Sequence, residues 1–118
     1  MKGVLVIAHG SRIKETENTL VSILNRVRER MPDICIEHAF MEFSEQTPAK
    51  AVQSLIDKNV TEIKVVPYFL FTGVHISEDI PNIFKKCMAD HPNIGIVMGE
   101  PLGADARLAD ILIDRIQG

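Results

Sequence analysis

A chain of 118 residues is long enough for one domain with a hydrophobic core and too short for two, so we expect a single domain over residues 1–118. The apolar fraction of 46% and charged fraction of 25% are typical of a soluble globular protein, and the net charge of −3 argues against a nucleic-acid partner. The apolar run at residues 3–8 is too short for a signal peptide or a membrane span, and two cysteines make no disulfide framework, so the composition predicts a cytoplasmic protein with no membrane partner.

Four short apolar runs recur along the chain, and each is followed by residues with helical periodicity. Because continuous apolar runs are typical of strands buried on both faces, the sequence predicts strands at residues 3–8, 34–38, 63–67 and 94–98. The first helix should end at Pro32 and bury residues spaced three and four apart, namely Leu20, Ile23, Leu24, Val27 and Met31.

The other three helices have recognisable beginnings or ends. Thr47 is the expected N-cap of the second helix, and Pro48 suits its first position because no amide donor is needed there. Ser77 or Asp79 is expected to cap the third helix, which should end near His91. We expect the last helix to turn four apolar residues inward: Leu108, Ile111, Leu112 and Ile116.

Alternation of strands and helices predicts an α/β fold with a parallel sheet and helices on both faces. Right-handed crossovers leave few topologies open, and we expect a flavodoxin-like strand order of 2-1-3-4. In such sheets, ligands bind at the carboxyl ends of the strands.

The loops that follow three of the predicted strands carry candidate metal ligands. His9 follows the first strand, Glu42 lies beyond the second, and His75 lies beyond the third. The topology should therefore bring these side chains to one edge of the sheet. Imidazole together with carboxylate suits cobalt, nickel, iron or zinc, and is too nitrogen-rich for a magnesium or calcium site.

Each of these residues also has an interpretation without metal chemistry. His9 could be a hydrogen-bonded residue at a strand end, Glu42 could simply face water, and His75 could be a residue at a helix start. Ser11 suits helix capping or anion binding, besides a role as nucleophile. Arg12 suits either a solvated helix start or a contact with an acidic substrate.

Two further features of the sequence have structural interpretations. His38 closes a strand and His91 lies near a helix carboxyl end, so we interpret both as structural. The loop at residues 68–71 is composed of large apolar side chains although its position should expose it. We expect a partner chain to cover this loop, or the loop to line a pocket for a flat apolar ligand.

Taken together, these segments resemble the small class II chelatases, the CbiX-type sirohydrochlorin cobaltochelatases. The matching stretches are V-L-V-I-A-H-G-S-R near the amino end and M-E-F-S-E-Q-T-P-A-K-A-V from residue 41. The third and most specific is V-V-P-Y-F-L-F-T-G-V-H-I-S-E-D-I-P, and G-E-P-L-G from residue 99 is a weaker fourth. The likeness spans nearly the whole chain.

The resemblance implies a chelatase half-domain that inserts a divalent metal, Co²⁺ first and Fe²⁺ or Ni²⁺ as alternatives, into sirohydrochlorin. It implies that His9 and His75 are the metal ligands and that Glu42 is an acidic ligand or proton acceptor. Because larger family members are tandem duplications with the substrate between the halves, it also implies a homodimer. We expect the interface to use residues 68–71 or the surface beside them.

Sirohydrochlorin is rich in carboxylates, so polar groups at the carboxyl edge of the sheet are expected to hold it. The candidates are Ser11, Arg12, Ser44, Gly73 and Ser77, with Lys50 as a further cation.

Three other kinds of protein share parts of this sequence pattern. Histidine phosphatases also place a His-Gly pair after the first strand, but they carry an arginine directly before the histidine where this chain has Ala8. Receiver domains need acidic residues at that strand end and flavodoxins need a Ser/Thr-rich loop, and neither is present. A metal carrier or sensor that uses His9 and His75 without catalysis remains open.

Overall fold

The computed structural model describes residues 1–71, 73 and 75–118, with the backbone alone at residues 75 and 76. The described chain forms four strands and four α-helices in alternation. The strands are β1 (Lys2–Ala8), β2 (Cys35–Phe40), β3 (Glu62–Pro67) and β4 (Gly95–Met98). The helices are α1 (Glu15–Arg30), α2 (Pro48–Asp57), α3 (Ile80–Asp90) and α4 (Ala106–Gln117).

The four strands form one parallel sheet in the order β2-β1-β3-β4, which confirms the predicted topology. Helix α1 packs on one face, where Leu20 and Leu24 contact Val6 and Ala8 of β1. Helices α2 and α3 pack on the other face. Their buried side chains join the inward residues of β1, β3 and β4 in the larger core cluster, which includes Leu5, Val52, Val65, Phe84 and Ile96.

Local sequence signals explain where α2 begins but not where α1 begins. The Thr47 hydroxyl accepts a hydrogen bond from the Lys50 amide at 3.2 Å, and Pro48 takes the first helical position, as predicted for α2. Ser11 does not cap α1, whose N-cap is Lys14. Its hydroxyl instead accepts from the Ile13 amide at 3.1 Å, which closes a turn ahead of the helix.

The helix ends differ from the sequence expectations at two places. Asp79, one of the two expected caps, is the N-cap of α3, but its side chain forms no capping hydrogen bond because a π-helical turn, His75–Asp79, leads directly into the helix. The predicted inward face of α1 is wrong at Met31, which is the C-cap and is 46% exposed. The chain turns toward β2 at this point, and the Met31 side chain therefore lies beyond the core.

The expectation that α4 turns its apolar residues inward is wrong. No residue of α4 is buried, and Ile111, Leu112 and Ile116 are 51%, 62% and 74% exposed. The radius of gyration is 14.8 Å, above the roughly 13.5 Å typical of this chain length. Helices α1 to α3 each join two strands of the sheet and are held against it at both ends. Helix α4 does not join two strands of the described sheet, so this sheet does not constrain it in the same way.

The start of α4 is nevertheless well capped. The Asp105 carboxylate accepts from the Arg107 side chain at 2.7 and 2.8 Å and from the Arg107 backbone amide at 2.9 Å. These bonds, those to the Arg107 side chain first, hold the pKa of Asp105 well below its usual range. No helix in the described part of the chain is long and apolar enough to cross a membrane.

Candidate functional site

His9 and Glu42 meet at the carboxyl edge of the sheet. His9 comes directly after β1, and Glu42 lies two residues beyond the end of β2. Their side chains are paired, with His9 Nε2 at 3.1 Å from Glu42 Oε1, and are 51% and 48% exposed. The structure therefore brings together two of the three predicted site residues, at a position that ligand can reach from solvent.

Backbone hydrogen bonds between the two loops fix this pairing. The amides of Met41 and Glu42 donate to the carbonyls of Ala8 and His9, at 3.0 and 3.2 Å. The parallel ladder between β1 and β2 is thus extended past the ends of both strands. As a result, the side chains of His9 and Glu42, which are far apart in sequence, extend from two backbone segments that are hydrogen-bonded to each other.

Gly10 makes the close approach of these loops possible. It has φ +101°, which L side chains rarely adopt, and a Cβ added there would collide with the backbone carbonyl oxygen of Glu42. It would also lie 3.3 Å from the Phe40 Cβ. Sequence reasoning missed this role, although a glycine directly after a candidate ligand was a signal that could have indicated it.

We predict that Gly10→Ala separates His9 from Glu42 while the sheet stays folded. A displacement of about 1 Å at a reacting group can cost about 100-fold in rate, so we expect a loss of activity of that order at this site. Gly95→Ala is the matched control, because its added Cβ meets nothing within 4 Å. Circular dichroism and initial rates measure both. Parental activity in Gly10→Ala would show that the close approach is dispensable.

His75, the second predicted metal ligand, is described only in its backbone, which begins the π-helical turn before α3. Its side chain lies outside the described residues, so its predicted role stays a prediction. Among the side chains that are described, no group of three or more His, Cys, Asp or Glu residues could hold a metal ion. Single π-helical turns in α-helices are frequent at functional sites, and the turn that begins at His75 is therefore consistent with a functional role for this residue.

The apolar loop at residues 68–71 divides into a packed half and an exposed half. Tyr68 and Phe69 pack against the two core clusters, and the Phe69 ring stands edge-on to His9 with centroids 6.4 Å apart. Leu70 and Phe71 are 51% and 83% exposed. The edge beside His9 therefore presents two large apolar side chains to solvent.

A cavity of about 400 Å³ opens at the same edge of the sheet, between the start of α1 and the loop after β2. Its charged and hydroxyl-bearing lining includes three cations, two carboxylates and two serines, namely Arg12, Lys14, Lys50, Glu17, Glu45, Ser11 and Ser44. Both serine hydroxyls accept from a backbone amide two residues ahead, which leaves each O–H able to donate to a ligand.

Arg12 lies over the ring of Phe43, with its Cζ 4.7 Å from the ring centroid. Phe43 has φ 60°, in the left-handed region, and is 52% exposed. A cation held over an aromatic face keeps its planar N–H groups available for a carboxylate. The left-handed backbone at Phe43 thus accompanies the placement of its ring against the Arg12 guanidinium, beside the cavity.

Gly73 and Ser77 form a separate group. The Ser77 hydroxyl and amide both donate to the Gly73 carbonyl, at 3.1 and 3.0 Å, and both residues are exposed. The cavity beside Arg12 is lined by other residues. The structure therefore places the five predicted substrate contacts in two groups.

The other two histidines make structural contacts. His38 Nε2 lies 2.9 Å from Glu17 Oε2, and its ring stands edge-on to Phe40. His91 is the C-cap of α3, where its amide donates to the Cys87 carbonyl at 3.0 Å. Both sets of contacts fit the structural interpretation made from the sequence.

Comparisons with known proteins extend over the whole fold. The CbiX family model matches residues 3–118. A sirohydrochlorin cobaltochelatase from Methanosarcina acetivorans is 34% identical over 122 residues, which cover 98% of this chain and 94% of the relative. A sirohydrochlorin ferrochelatase from Priestia megaterium is also 34% identical, over 98% of this chain but 44% of the relative.

A solved structure shows the same architecture. The sirohydrochlorin chelatase SirB from Bacillus subtilis subspecies spizizenii, in complex with cobalt, matches with a TM-score of 0.90 at 27% identity. The match covers 98% of this chain and 50% of the SirB chain. The chain therefore spans less than half of the ferrochelatase and half of SirB, but nearly all of the cobaltochelatase.

Proposed function

The chain belongs to the CbiX family, and we propose that it is a chelatase that inserts a divalent cation into sirohydrochlorin. Cobalt is the proposed metal because a relative of nearly the same length is a cobaltochelatase. Iron and nickel are the alternatives, since affinity for nitrogen and oxygen ligands rises from iron through cobalt to nickel and does not select one of them. The observation that carries the proposal is the His9–Glu42 pair at the carboxyl edge of the sheet.

In the proposed reaction the metal is a substrate, and the protein supplies a partial coordination shell and a base. His9 and His75 would hold the cation through neutral imidazole nitrogens and leave other positions open to the ring nitrogens. Each insertion replaces two N–H protons of the ring by one divalent cation. Glu42, beside His9, would accept one of these protons, and the second would leave to solvent.

The surroundings of this pair suit a flat molecule with acidic side groups. We propose that Arg12, Lys14 and Lys50 contact the substrate carboxylates, with the O–H groups of Ser11 and Ser44 as further donors. On the other side of His9, Leu70 and Phe71 would lie against the face of the ring. Gly73 and Ser77, which precede α3, would contact a different edge of it.

We predict that Arg12→Ala raises KM for the tetrapyrrole roughly ten-fold and changes kcat little, because it removes a charge-assisted contact formed in the ground state as well as the transition state. Arg26→Ala is the matched control, since Arg26 is an exposed residue of α1 that lies outside the cavity. Steady-state kinetics at varied tetrapyrrole concentration give both constants. An equal rise in KM for both variants would contradict a specific contact by Arg12.

The direct test is an insertion assay in which sirohydrochlorin is mixed with the protein and Co²⁺, Fe²⁺ or Ni²⁺ in turn. The absorbance of the ring reports insertion above the rate without protein. Cobalt is expected to give the fastest catalysed rate. A faster rate with iron or nickel would identify that metal, and not cobalt, as the substrate. Metal binding with no catalysed insertion would favour a carrier or sensor over a chelatase.

We also propose that two copies form the functional unit in the cytoplasm. The chain corresponds to half of SirB, which supports a homodimer in which each copy supplies one side of the substrate cleft. Cys35 and Cys87 are both free thiols, and burial raises the pKa of Cys87, so that it stays protonated. Unpaired thiols are typical of proteins from a reducing compartment.

A further inference from the structure

Phe43 has a backbone conformation that its side chain disfavours. Within the described part of the chain, the residues other than glycine with positive φ are Phe43, at 60°, and Asn59, at 68°. Asparagine adopts this left-handed region comparatively readily, whereas a bulky residue is an outlier there. Because glycine would allow the same turn without steric cost, a phenylalanine at this position indicates that its side chain has a use.

The Phe43 ring is not used to fill the core. The residue is 52% exposed and belongs to neither of the two core clusters. Its ring instead contacts Arg12, whose Cζ lies 4.7 Å from the ring centroid, and both residues line the cavity of about 400 Å³. The left-handed turn therefore places an aromatic ring at the cavity and not in the hydrophobic interior.

Hydrogen bonds before and after Phe43 hold its loop in this conformation. The Glu42 amide donates to the His9 carbonyl at 3.2 Å, and the Gln46 amide donates to the Ser44 hydroxyl at 3.0 Å. The loop is thus bonded both to the segment after β1 and within itself. A disfavoured backbone angle persists where the surrounding bonds determine it in this way.

The turn at Phe43 sends two consecutive side chains to different partners. Glu42 contacts His9 at 3.1 Å, whereas Phe43 contacts Arg12. In the described part of the chain, Arg12 forms no ion pair with a carboxylate. The aromatic ring is therefore the contact that holds the guanidinium, and the N–H donors of Arg12 stay available for a ligand.

We infer that Phe43 is a positioning residue, whose ring holds the Arg12 guanidinium toward the carboxylates of the tetrapyrrole. An arginine side chain that moves freely loses conformational entropy when it binds a ligand, and this loss weakens binding. A guanidinium already held on a ring loses less. The inference rests on the proposed function, since it concerns the same substrate. It gives Phe43 no part in metal binding or proton transfer.

Titration of metal-free sirohydrochlorin into the protein, followed by absorbance, measures the effect on binding. Phe43→Leu removes the ring but keeps a large apolar side chain, and should raise Kd about two- to five-fold, the factor expected for an exposed cation–π contact. Phe43→Tyr is the matched control, because it keeps the aromatic face, and should bind as the wild type does. In the insertion assay, Phe43→Leu should raise KM by the same factor and leave kcat unchanged.

A double-mutant cycle tests whether the ring acts through Arg12. In the Arg12→Ala background, Phe43→Leu should change Kd no further, because the side chain that the ring positions is already absent. An equal rise in Kd in both backgrounds would show that the ring acts without Arg12 and would overturn the inference. A lower kcat with unchanged KM would place the effect at Glu42 and would overturn it as well.

Nuclear magnetic resonance of the protein without ligand supplies a measurement that is independent of activity. The ring current of Phe43 should displace the side-chain proton resonances of Arg12 in the wild type and in Phe43→Tyr, but not in Phe43→Leu. Ordinary Arg12 resonances in the wild type would refute the contact. Sirohydrochlorin binding that is the same in the wild type and in Phe43→Leu would overturn this inference alone. A wild-type protein that binds no sirohydrochlorin would overturn the proposed function, and the inference with it.

Discussion

Replacing either His9 or His75 with alanine is expected to lower cobalt insertion more than about 100-fold, because each variant loses a metal–ligand bond of the proposed site. His9 is half exposed and lies past the end of β1, so its removal should cost about 1 kcal/mol of folding stability or less. Thermal unfolding followed by circular dichroism, together with the initial rate of insertion, separates loss of the site from loss of the fold.

The remaining two histidines provide the controls for this experiment. His91→Ala should retain both activity and stability, because the backbone amide makes the helix-end hydrogen bonds and the side chain is not needed for them. His38→Ala loses the contact with Glu17 and is expected to be somewhat less stable while still inserting metal. Parental rates in His9→Ala or His75→Ala would refute the proposed ligands, as would equal losses in all four variants.

The sheet could be predicted from the sequence because its strands are short and rich in apolar residues, and segments with helical periodicity separate them. Only β1 is nearly continuous in buried residues, whereas β4 buries Ile96 alone. Once the alternation is recognised, right-handed crossovers restrict the strand order to few choices. The prediction was least accurate at element ends. Strand β2, for example, runs to Phe40 and not to His38, because its ladder with β1 continues to the site.

The packing of α4 could not be predicted in the same way. The spacing of its apolar residues indicates a helix with one apolar face, but spacing carries no information about which surface covers that face. For α1, α2 and α3 the surface follows from the topology, since each joins two strands of one sheet. Helix α4 does not join two strands of the described sheet, so its apolar residues Leu108, Ile111 and Leu112 fit an intermolecular contact as well as an intramolecular one.

The site was predictable as far as the topology determines it. Parallel strands deliver His9 and Glu42 to one edge, and the 3.1 Å contact between them is the geometry that this rule leads one to expect. The role of Gly10 depends on the path of the backbone, which no residue pattern specifies. The distinction between Arg12, beside the cavity, and Ser77, outside it, likewise depends on the loop conformations.

Glu42→Gln is expected to separate proton transfer from metal binding. Glutamine has nearly the same shape, and its side-chain oxygen can still accept a hydrogen bond from the His9 ring, so the loops after β1 and β2 should keep their arrangement. It has no basic carboxylate, however, and cannot take up a pyrrole proton. Loss of a general base typically lowers the rate about 100-fold or more, so insertion should fall by that order.

The matched control for this variant is Glu45→Gln, which makes the same change at an exposed carboxylate of the same loop, beside the cavity. It should insert cobalt at nearly the parental rate. Cobalt affinity, measured by calorimetry in the absence of tetrapyrrole, then identifies the role of Glu42. Unchanged affinity with slow insertion supports the proton acceptor. A parallel loss of affinity and rate would instead identify Glu42 as a metal ligand beside His9. Parental affinity together with a parental rate would show that Glu42 takes no part in the site.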